Sequence, residues 1–177
     1  MKHGWVLLLL LTLALTACEP RPDNSASSAP AFELYLLAGD NTRGSDLLNT
    51  SLDNLILAET PLLTTADLLS YDRSTHTLEL TETGMEKVTA LLESGFQVAG
   101  IPFVIVSGGE RLYAGAFWTP LSSQSFDGVV IMDPAFLSEG NTLQISLGYP
   151  GSDFFNGTDP RDDAKLMDAL DEAGILK

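Results

Sequence analysis

Short apolar stretches, several of them alternating with polar residues, predict most of the β-strands of this chain. Alternation puts every second side chain on one face of a sheet, and a continuous apolar run indicates a strand that is buried on both faces. Seven stretches have these patterns, at residues 32–38, 53–58, 76–80, 101–106, 111–117, 128–132 and 142–147. The pattern therefore predicts strands at these seven places.

Two of these strands are predicted to form a hairpin. The apolar run 101–106 leads into Ser107-Gly108-Gly109-Glu110, and residues 111–117 follow directly. Adjacent glycines adopt the positive φ angles of a tight two-residue turn without steric cost. We therefore expect 101–106 to be a central strand that pairs with 111–117.

Three helices are predicted from capping residues. Thr64 and Asp67 have the spacing of a capping box, which predicts a short helix over 65–70. Thr81 is expected to cap a longer helix that Gly95 ends, since its apolar residues recur at intervals of three and four, at Met85, Val88, Leu91 and Leu92. Asp159-Pro160 predicts the start of a third helix, which has one apolar face made by Leu166, Ala169, Leu170 and Ala173.

These elements predict a single α+β domain over residues 32–177, with a small mixed or antiparallel sheet and two or three helices. About 145 residues suffice for one ordinary hydrophobic core. The chain has a single cysteine at residue 18, so the folded part has no disulfide and no thiolate metal site. Its stability must therefore come from packing.

The start of the chain resembles the signal of bacterial lipoproteins. Lys2 precedes an apolar run over residues 5–15, and Leu15-Thr16-Ala17-Cys18 resembles a lipobox. The resemblance implies that residues 1–17 are a signal peptide and that Cys18 carries the lipid. The domain would then be anchored to a bacterial membrane on its extracytoplasmic side, in the periplasm or at the cell surface. The alternative is a membrane-spanning anchor over 5–17, but a span needs about 20 apolar residues.

A flexible tether is expected after the lipidated cysteine. Residues 19–31 contain three prolines, three serines and no large apolar group, so they cannot bury enough surface to offset the entropy of ordering. Residues 18–31 would hold the domain away from the membrane. Thirteen flexible residues span roughly 20 Å root mean square.

The chain is strongly acidic, with a net charge of −15. Removal of residues 1–17 would take away one of the nine basic side chains and none of the 24 acidic ones, so the charge would become −16. This charge excludes the basic footprint of a nucleic-acid-binding protein, and anionic headgroups would repel it. It leaves two interpretations open, a cationic partner or a solvated acidic surface without one.

Catalytic and metal-binding motifs are missing from the sequence. His76 is the one histidine after residue 17, and no known nucleophile motif, phosphate-binding loop or zinc motif accompanies it. Oxygen-bearing residues cluster near the C-terminus and could suit calcium, but helix capping also explains several of them and the spacing is not that of a calcium loop. These residues are Asp153, Asn156, Asp159, Asp162 and Asp163. We expect no metal, no cofactor and no enzyme activity.

One loop suggests a binding surface. Aromatic residues beside proline and serine hydroxyls, over residues 116–126, are typical of recognition surfaces. The candidate partner-binding residues are Phe117, Trp118, Pro120, Ser122, Ser123 and Phe126. The alternative is that Phe117, Trp118 and Phe126 close one edge of the core while the serines bond to the loop backbone.

The middle of the chain, residues 78–131, resembles the periplasmic head domain of the protein-export component SecD. The resemblance depends on Leu80-Thr81-x-x-Gly84-x-x-Lys87, on the apolar strand from Gly100 and on the hairpin that returns through Gly109-Glu110-Arg111. It implies a ferredoxin-like fold and contact with other proteins. It does not imply export activity, because SecD proteins have several membrane spans and this chain would have none after signal removal.

The sequence thus favours an envelope lipoprotein whose non-catalytic domain binds an envelope protein or peptide. Two alternatives stay open. One is an envelope hydrolase that uses His76 with Ser122, Ser123 or Ser125, or a pair of carboxylates. The other is a purely structural envelope protein.

Overall fold

The structure is a computed structural model that describes residues 29–39, 43–95, 98–137 and 140–177, apart from the side chain of residue 137. The predicted signal peptide, Cys18 and the tether up to residue 28 lie outside the described residues. Eight strands are described: β1 Glu33–Leu36, β2 Leu63–Thr64, β3 Leu68–Asp72, β4 Thr77–Leu80, β5 Ile101–Ser107, β6 Glu110–Trp118, β7 Phe126–Met132 and β8 Thr142–Tyr149. Three α-helices accompany them: α1 Glu82–Ser94, α2 Pro134–Leu137 and α3 Ala164–Glu172.

The strands form one mixed sheet in the order β2-β1-β5-β6-β7-β8-β4-β3. β6 and β7 run parallel, and the other neighbouring pairs run antiparallel. The predicted hairpin between β5 and β6 is confirmed, with Gly108 at φ 57° and Gly109 at φ 82°. The prediction of an α+β domain with a mixed sheet is likewise confirmed, although eight strands make this sheet larger than expected.

The two ends of the sheet are joined by the chain itself. β2 and β3 stand at opposite ends of the strand order, yet only the 3₁₀ turn Thr65–Asp67 separates them in sequence. The sheet therefore curls until its ends meet. α1 fastens this joint, because the Lys87 ammonium donates to both carboxylate oxygens of Asp67, at 2.7 and 2.9 Å. Gly84 permits the close approach, since a Cβ there would lie 2.7 Å from the Asp67 carbonyl oxygen.

Curling gives the sheet an inner face and an outer face. The inner face carries the main apolar core, closed by Val88 of α1 and by Leu166, Met167 and Leu170 of α3. Most strand residues of this core alternate along the sequence, as a pleated sheet requires. They include Leu34, Leu78, Leu80, Phe103, Ile105, Tyr113, Phe117, Val129, Ile131, Leu143 and Ile145.

The outer face is apolar too, but irregular chain covers it. Its strand residues include Val104, Val106, Ala116, Trp118 and Val130. The 3₁₀ helices Gly44–Asn49 and Leu52–Asn54 supply covering side chains, among them Leu47, Leu52 and the adjoining Leu55. Both faces of the central strands are therefore buried, which explains the continuous apolar run of β5.

Three sequence predictions about elements are wrong. Residues 53–58 do not form a strand of the length expected: the 3₁₀ helix Leu52–Asn54 occupies its start, and only Leu57 forms a bridge, with Leu37. The strand propensity of residues 53–58 is overridden because this segment covers the outer face.

The third helix begins at Ala164 and is capped by Asp163, later than the predicted start at Asp159-Pro160.

The predicted helix over 65–70 is also replaced by other structure. The hydrogen bond expected of the capping box is present, from the Thr64 N–H to the Asp67 carboxylate at 2.9 Å. The helical turn nevertheless ends at Asp67, and the chain continues as β3. Pairing with β4 satisfies the backbone of β3 and buries Leu68 and Tyr71.

The longest helix is as the sequence predicts. Thr81 caps α1 through a hydrogen bond from the Gly84 N–H to its side chain, and the helix ends before Gly95. Among the helices that the structure describes, none combines the length and the apolar character needed to cross a membrane.

Candidate functional site

The aromatic residues of the predicted contact loop pack against one another on the outer face. The Trp118 side chain is 2% exposed, and its ring stacks on Phe126 with centroids 4.9 Å apart and an interplanar angle of 15°. The Tyr149 ring lies 5.8 Å from Trp118. Phe117 points the other way, into the inner face, where it meets Phe103 edge-on at 5.3 Å.

This packing corrects the predicted contact role of Phe117, Trp118 and Phe126. Successive residues of β6 point to opposite faces of the sheet, and both faces are covered, so neither Phe117 nor Trp118 reaches solvent. The arrangement is that of the alternative interpretation, in which the three aromatic side chains close part of the core. An incoming partner could contact them only after the outer cover had opened.

Hydrogen bonds hold the loop 119–125 in place. The Ser122 hydroxyl is buried and donates to the Val98 carbonyl at 2.6 Å, while the Gln124 N–H donates to the Ser122 hydroxyl at 3.2 Å. The Tyr149 hydroxyl lies within 3.3 Å of the carbonyl oxygens of Pro120 and Ser122. The Ser122 hydroxyl therefore stabilises the loop. The prediction that Ser122 contacts a partner is corrected, because its side chain is buried.

Two of the six predicted contact residues, Pro120 and Ser123, lie on the surface. Leu121 between them is 62% exposed. Beside the loop lies a hollow of about 510 Å³ lined by Pro120, Met132, Tyr149 and Arg161 among others. Its one cation is already engaged, because the Arg161 guanidinium donates to both Asp159 carboxylate oxygens and to the Ile145 carbonyl. The hollow thus has little charge left to select a ligand.

His76 and Ser122, two residues of the hydrolase alternative, are bonded to different parts of the sheet. His76 lies in the turn before β4, and its Nδ1 is 3.0 Å from the Tyr71 hydroxyl oxygen. The backbone of His76 bonds to Ile145, whereas Ser122 bonds to Tyr149. Ile145 and Tyr149 are four residues apart on β8, which is about 13 Å along a strand. Burial lowers the pKa of His76 below 6.5, and the positive charge of Arg161 lowers this pKa further.

Four of the five oxygen-bearing residues near the C-terminus have a local structural role. Asp159 pairs with Arg161, Asp162 pairs with Arg73 at 2.9 Å, and Asp163 accepts from backbone N–H groups at the start of α3. Asn156 donates to Asp127. Within the ranges described, no group of three or more His, Cys, Asp or Glu side chains is arranged to hold a metal ion.

A pair of openings in the described surface lies along α1. Two adjoining hollows of about 580 and 360 Å³ share Met85, Thr89, Glu93 and Gly140 in their walls. We call them together the α1 groove. Its second wall includes Asp133, Pro134 and Ala135, which follow β7.

Sequence reasoning missed the α1 groove. The helix was interpreted through its apolar face, which packs inward, while Glu82, Glu86 and Glu93 lie on its exposed side. A signal was present, because these glutamates are four and seven residues apart and therefore share one face of a helix. The opposite wall, however, is 40 residues further along the chain, and only the fold brings it there.

Comparisons with known proteins identify no relatives. No protein-family model matches the chain, and neither the curated proteins nor the solved structures contain a match to it.

Proposed function

We propose that this chain is a lipid-anchored protein of a bacterial cell envelope whose folded domain binds another envelope protein and performs no catalysis. The lipobox resemblance at Leu15-Thr16-Ala17-Cys18 supports the anchor. The separation of His76 from Ser122 supports the absence of hydrolase chemistry.

The α1 groove is the observation that carries the binding function. A groove of this size is larger than the gaps between well-packed elements, and it opens along the side of a regular helix. Rigid elements present side chains more precisely than loops do, which suits a recognition surface. The groove therefore replaces the loop 119–125 as the proposed contact surface, and Pro120 and Ser123 become secondary.

The resemblance to the SecD head favours a protein as the partner. Its succession of elements is that of β4, α1, β5 and β6, including the early Gly84 of the helix. A ferredoxin-like arrangement of residues 78–131 stays a prediction within this proposal, as does a shared mode of protein contact.

Site-specific photocrosslinking in living cells tests the binding function. A photoreactive residue at Thr89, exposed in the α1 groove, is expected to give a discrete protein adduct. The matched control is the same residue at Gln144, which is exposed on β8. The absence of an adduct at Thr89, or the same adducts at both positions, would count against a binding surface here.

Fractionation of a Cys18→Ser variant tests the anchor separately. Two or three acyl chains hold a protein stably on a membrane, and the variant would have none. We expect the wild type in the membrane fraction and the processed variant in the soluble fraction, with equal unfolding midpoints. A processed variant that stays with the membrane would show that something other than the lipid anchors it.

A further inference from the structure

The α1 groove follows most of the length of the helix. Glu82 and Glu93, which line it near its two ends, are eleven residues apart on the helix, or about 17 Å at a rise of 1.5 Å per residue. An extended peptide advances about 3.3 Å per residue, so roughly five residues would fill this length. The dimensions suit a short stretch of extended chain better than a compact small molecule.

Apolar side chains form much of the groove surface. Met85 and Leu92 are half-buried on α1, and Pro134 and Ala135 face them from the other wall. Such a surface favours a ligand with hydrocarbon groups, including the methylene stems of lysine and arginine side chains.

The rim of the groove is acidic, and its charges are unpaired. Glu82, Glu86 and Glu93 line it, with no ion pair or side-chain hydrogen bond to any of them within the described ranges. Glu82 and Glu86 are also four residues apart on one helix, a spacing at which like charges destabilise the helix. The one basic residue of α1, Lys87, forms an ion pair with Asp67 where the two ends of the sheet meet. A cation in the groove would relieve this repulsion.

The acidic charges are spread along the groove, which argues for an extended polycation. They form no group that could hold a metal ion in the part of the chain that the structure describes. A net charge of −15 disfavours anionic membranes and nucleic acids as occupants. A basic peptide segment has the spaced cations, the hydrocarbon stems and the length that the groove accepts.

We propose that the α1 groove binds a basic segment of a partner protein in extended conformation, with lysine or arginine side chains paired to Glu82, Glu86 and Glu93. The proposal rests on the proposed binding function and names the chemistry of the partner. Pairing of charges along the groove gives specificity through charge complementarity.

Fluorescence anisotropy tests the proposal on the processed Cys18→Ser protein. The probe is a labelled heptapeptide, Gly-Lys-Leu-Gly-Lys-Leu-Gly, and its control has glutamine in place of both lysines. We expect the lysine peptide to bind at least about tenfold more tightly, with an affinity that falls as salt is added. Equal affinity for the two peptides, or no saturable binding of either, would overturn the proposal.

A matched pair of double variants separates the groove from the overall charge. Glu86→Gln with Glu93→Gln is expected to weaken lysine-peptide binding at least about tenfold. Asp168→Asn with Asp171→Asn changes the net charge equally on the exposed side of α3 and should change affinity less than about twofold. An equal loss of peptide affinity in both double variants would mean that the overall charge attracts the peptide nonspecifically, and it would contradict binding in the α1 groove.

A Thr89→Trp variant fills the groove while keeping every carboxylate. It should abolish peptide binding and leave the unfolding midpoint unchanged, because Thr89 is exposed. If the protein instead self-associates in sedimentation and Thr89→Trp prevents this, the groove is an interface between two copies and the proposal is wrong. A further outcome is a crosslink at Thr89 in cells while the purified protein shows no preference for the lysine peptide. This outcome would support the binding function and contradict only the proposal that the partner segment is basic.

Discussion

The central strands of the curled sheet are buried on both faces, but by different means. On the inner face, regular helices close the core, and Val88 and Leu170 are fully buried. On the outer face, 3₁₀ helices and loops cover the strands, and Trp118 is 2% exposed. The difference teaches that a regular cover is visible in the periodicity of the sequence, whereas an irregular cover leaves no periodic signal.

The parallel pairing of β6 and β7 requires a return loop between these two strands. Gly115 pairs with Val129 and Trp118 pairs with Met132, so the chain must return along β6 before it can run parallel to it. Parallel connections usually take a dozen residues or more. Here the seven residues 119–125 make the return, and the Trp118 and Phe126 rings stack where the loop begins and ends.

The strongest test of the comparison uses two adjacent residues of β6. Phe117 belongs to the inner face and Trp118 to the outer face, and both are buried. Phe117→Ala and Trp118→Ala should each lower the free energy of unfolding by about 3 to 5 kcal/mol, because each leaves a large cavity. Urea denaturation measures both. A loss below about 1 kcal/mol for Trp118→Ala alone would show that the outer cover is loose and would restore a contact role for this residue.

The next largest loss of stability is expected from a substitution of Gly100, which lies against Trp118. Gly100 has φ +77°, and a Cβ there would lie 2.4 Å from the Trp118 ring. Gly100→Ala should cost about 2 to 3 kcal/mol, from left-handed strain and from displacement of the ring.

The control for that substitution is Gly109→Ala in the β5–β6 turn. Gly109 has φ +82° with no atom within 4 Å of its added Cβ, so only the strain of about 1 to 2 kcal/mol applies. Thermal or urea unfolding of both variants isolates the cost of moving Trp118. Equal losses would mean that the indole shifts freely.

The joint between the two sheet ends should be sensitive to acid. Burial alone would raise the pKa of Asp67, but hydrogen bonds from Lys87 and Thr64 outweigh it and hold this pKa below its usual 3.8. A carboxyl with a lowered pKa stabilises the fold above its unfolded pKa, and this stability disappears as the pH falls through the folded pKa. Asp67→Asn should therefore cost about 1.5 to 2 kcal/mol at pH 7 and much less in strong acid.

Urea denaturation at neutral and acidic pH measures the Asp67 effect. The control is Asp168→Asn, which removes an exposed carboxylate from α3 and should change stability little at either pH. A cost of Asp67→Asn that is independent of pH would show that shape, and not charge, holds the joint.

The smallest expected effect concerns His76 at the rim of the inner face. Its pKa is lowered, so the unfolded chain binds the proton more readily, and the fold loses stability as the pH falls below 6.5. His76→Asn keeps a residue that tolerates the positive φ of 52° and removes the titration. The variant should lose this part of the pH dependence, below about 1 kcal/mol in total. An unchanged slope between neutral pH and pH 5 would mean that His76 is open to solvent.

Much of the inner face could be predicted from the sequence. The capping Thr81, the apolar spacing of α1 and the Gly108-Gly109 turn are local signals, and local signals decide those elements. β3 was missed because its pairing with β4 overrides the helix-start pattern at Thr64 and Asp67. The segment 53–58 was misassigned because its conformation is decided by the distant surface that it covers.

The proposed binding site was less predictable than the fold. Aromatic residues near a serine-rich loop suggested an exposed surface, but burial depends on what lies over them, and residues 43–58 are too distant in sequence to reveal that. The α1 groove needs two walls, Glu82 to Glu93 on one side and residues 133–135 on the other. Spacing along the helix indicates one wall only.

The closed outline of the sheet has a consequence for crowding. A sheet that ends in open strands offers unpaired backbone groups that template aggregation. Here β2 passes into β3, and β3 is bonded in turn by the C-terminal residues, since the Lys177 N–H donates to the Tyr71 carbonyl at 2.8 Å. Along β1, the Ala58 N–H donates to the Leu36 carbonyl at 2.9 Å. Copies of this domain packed side by side in a two-dimensional layer would thus meet few free strand edges, and density alone would not drive them into fibres.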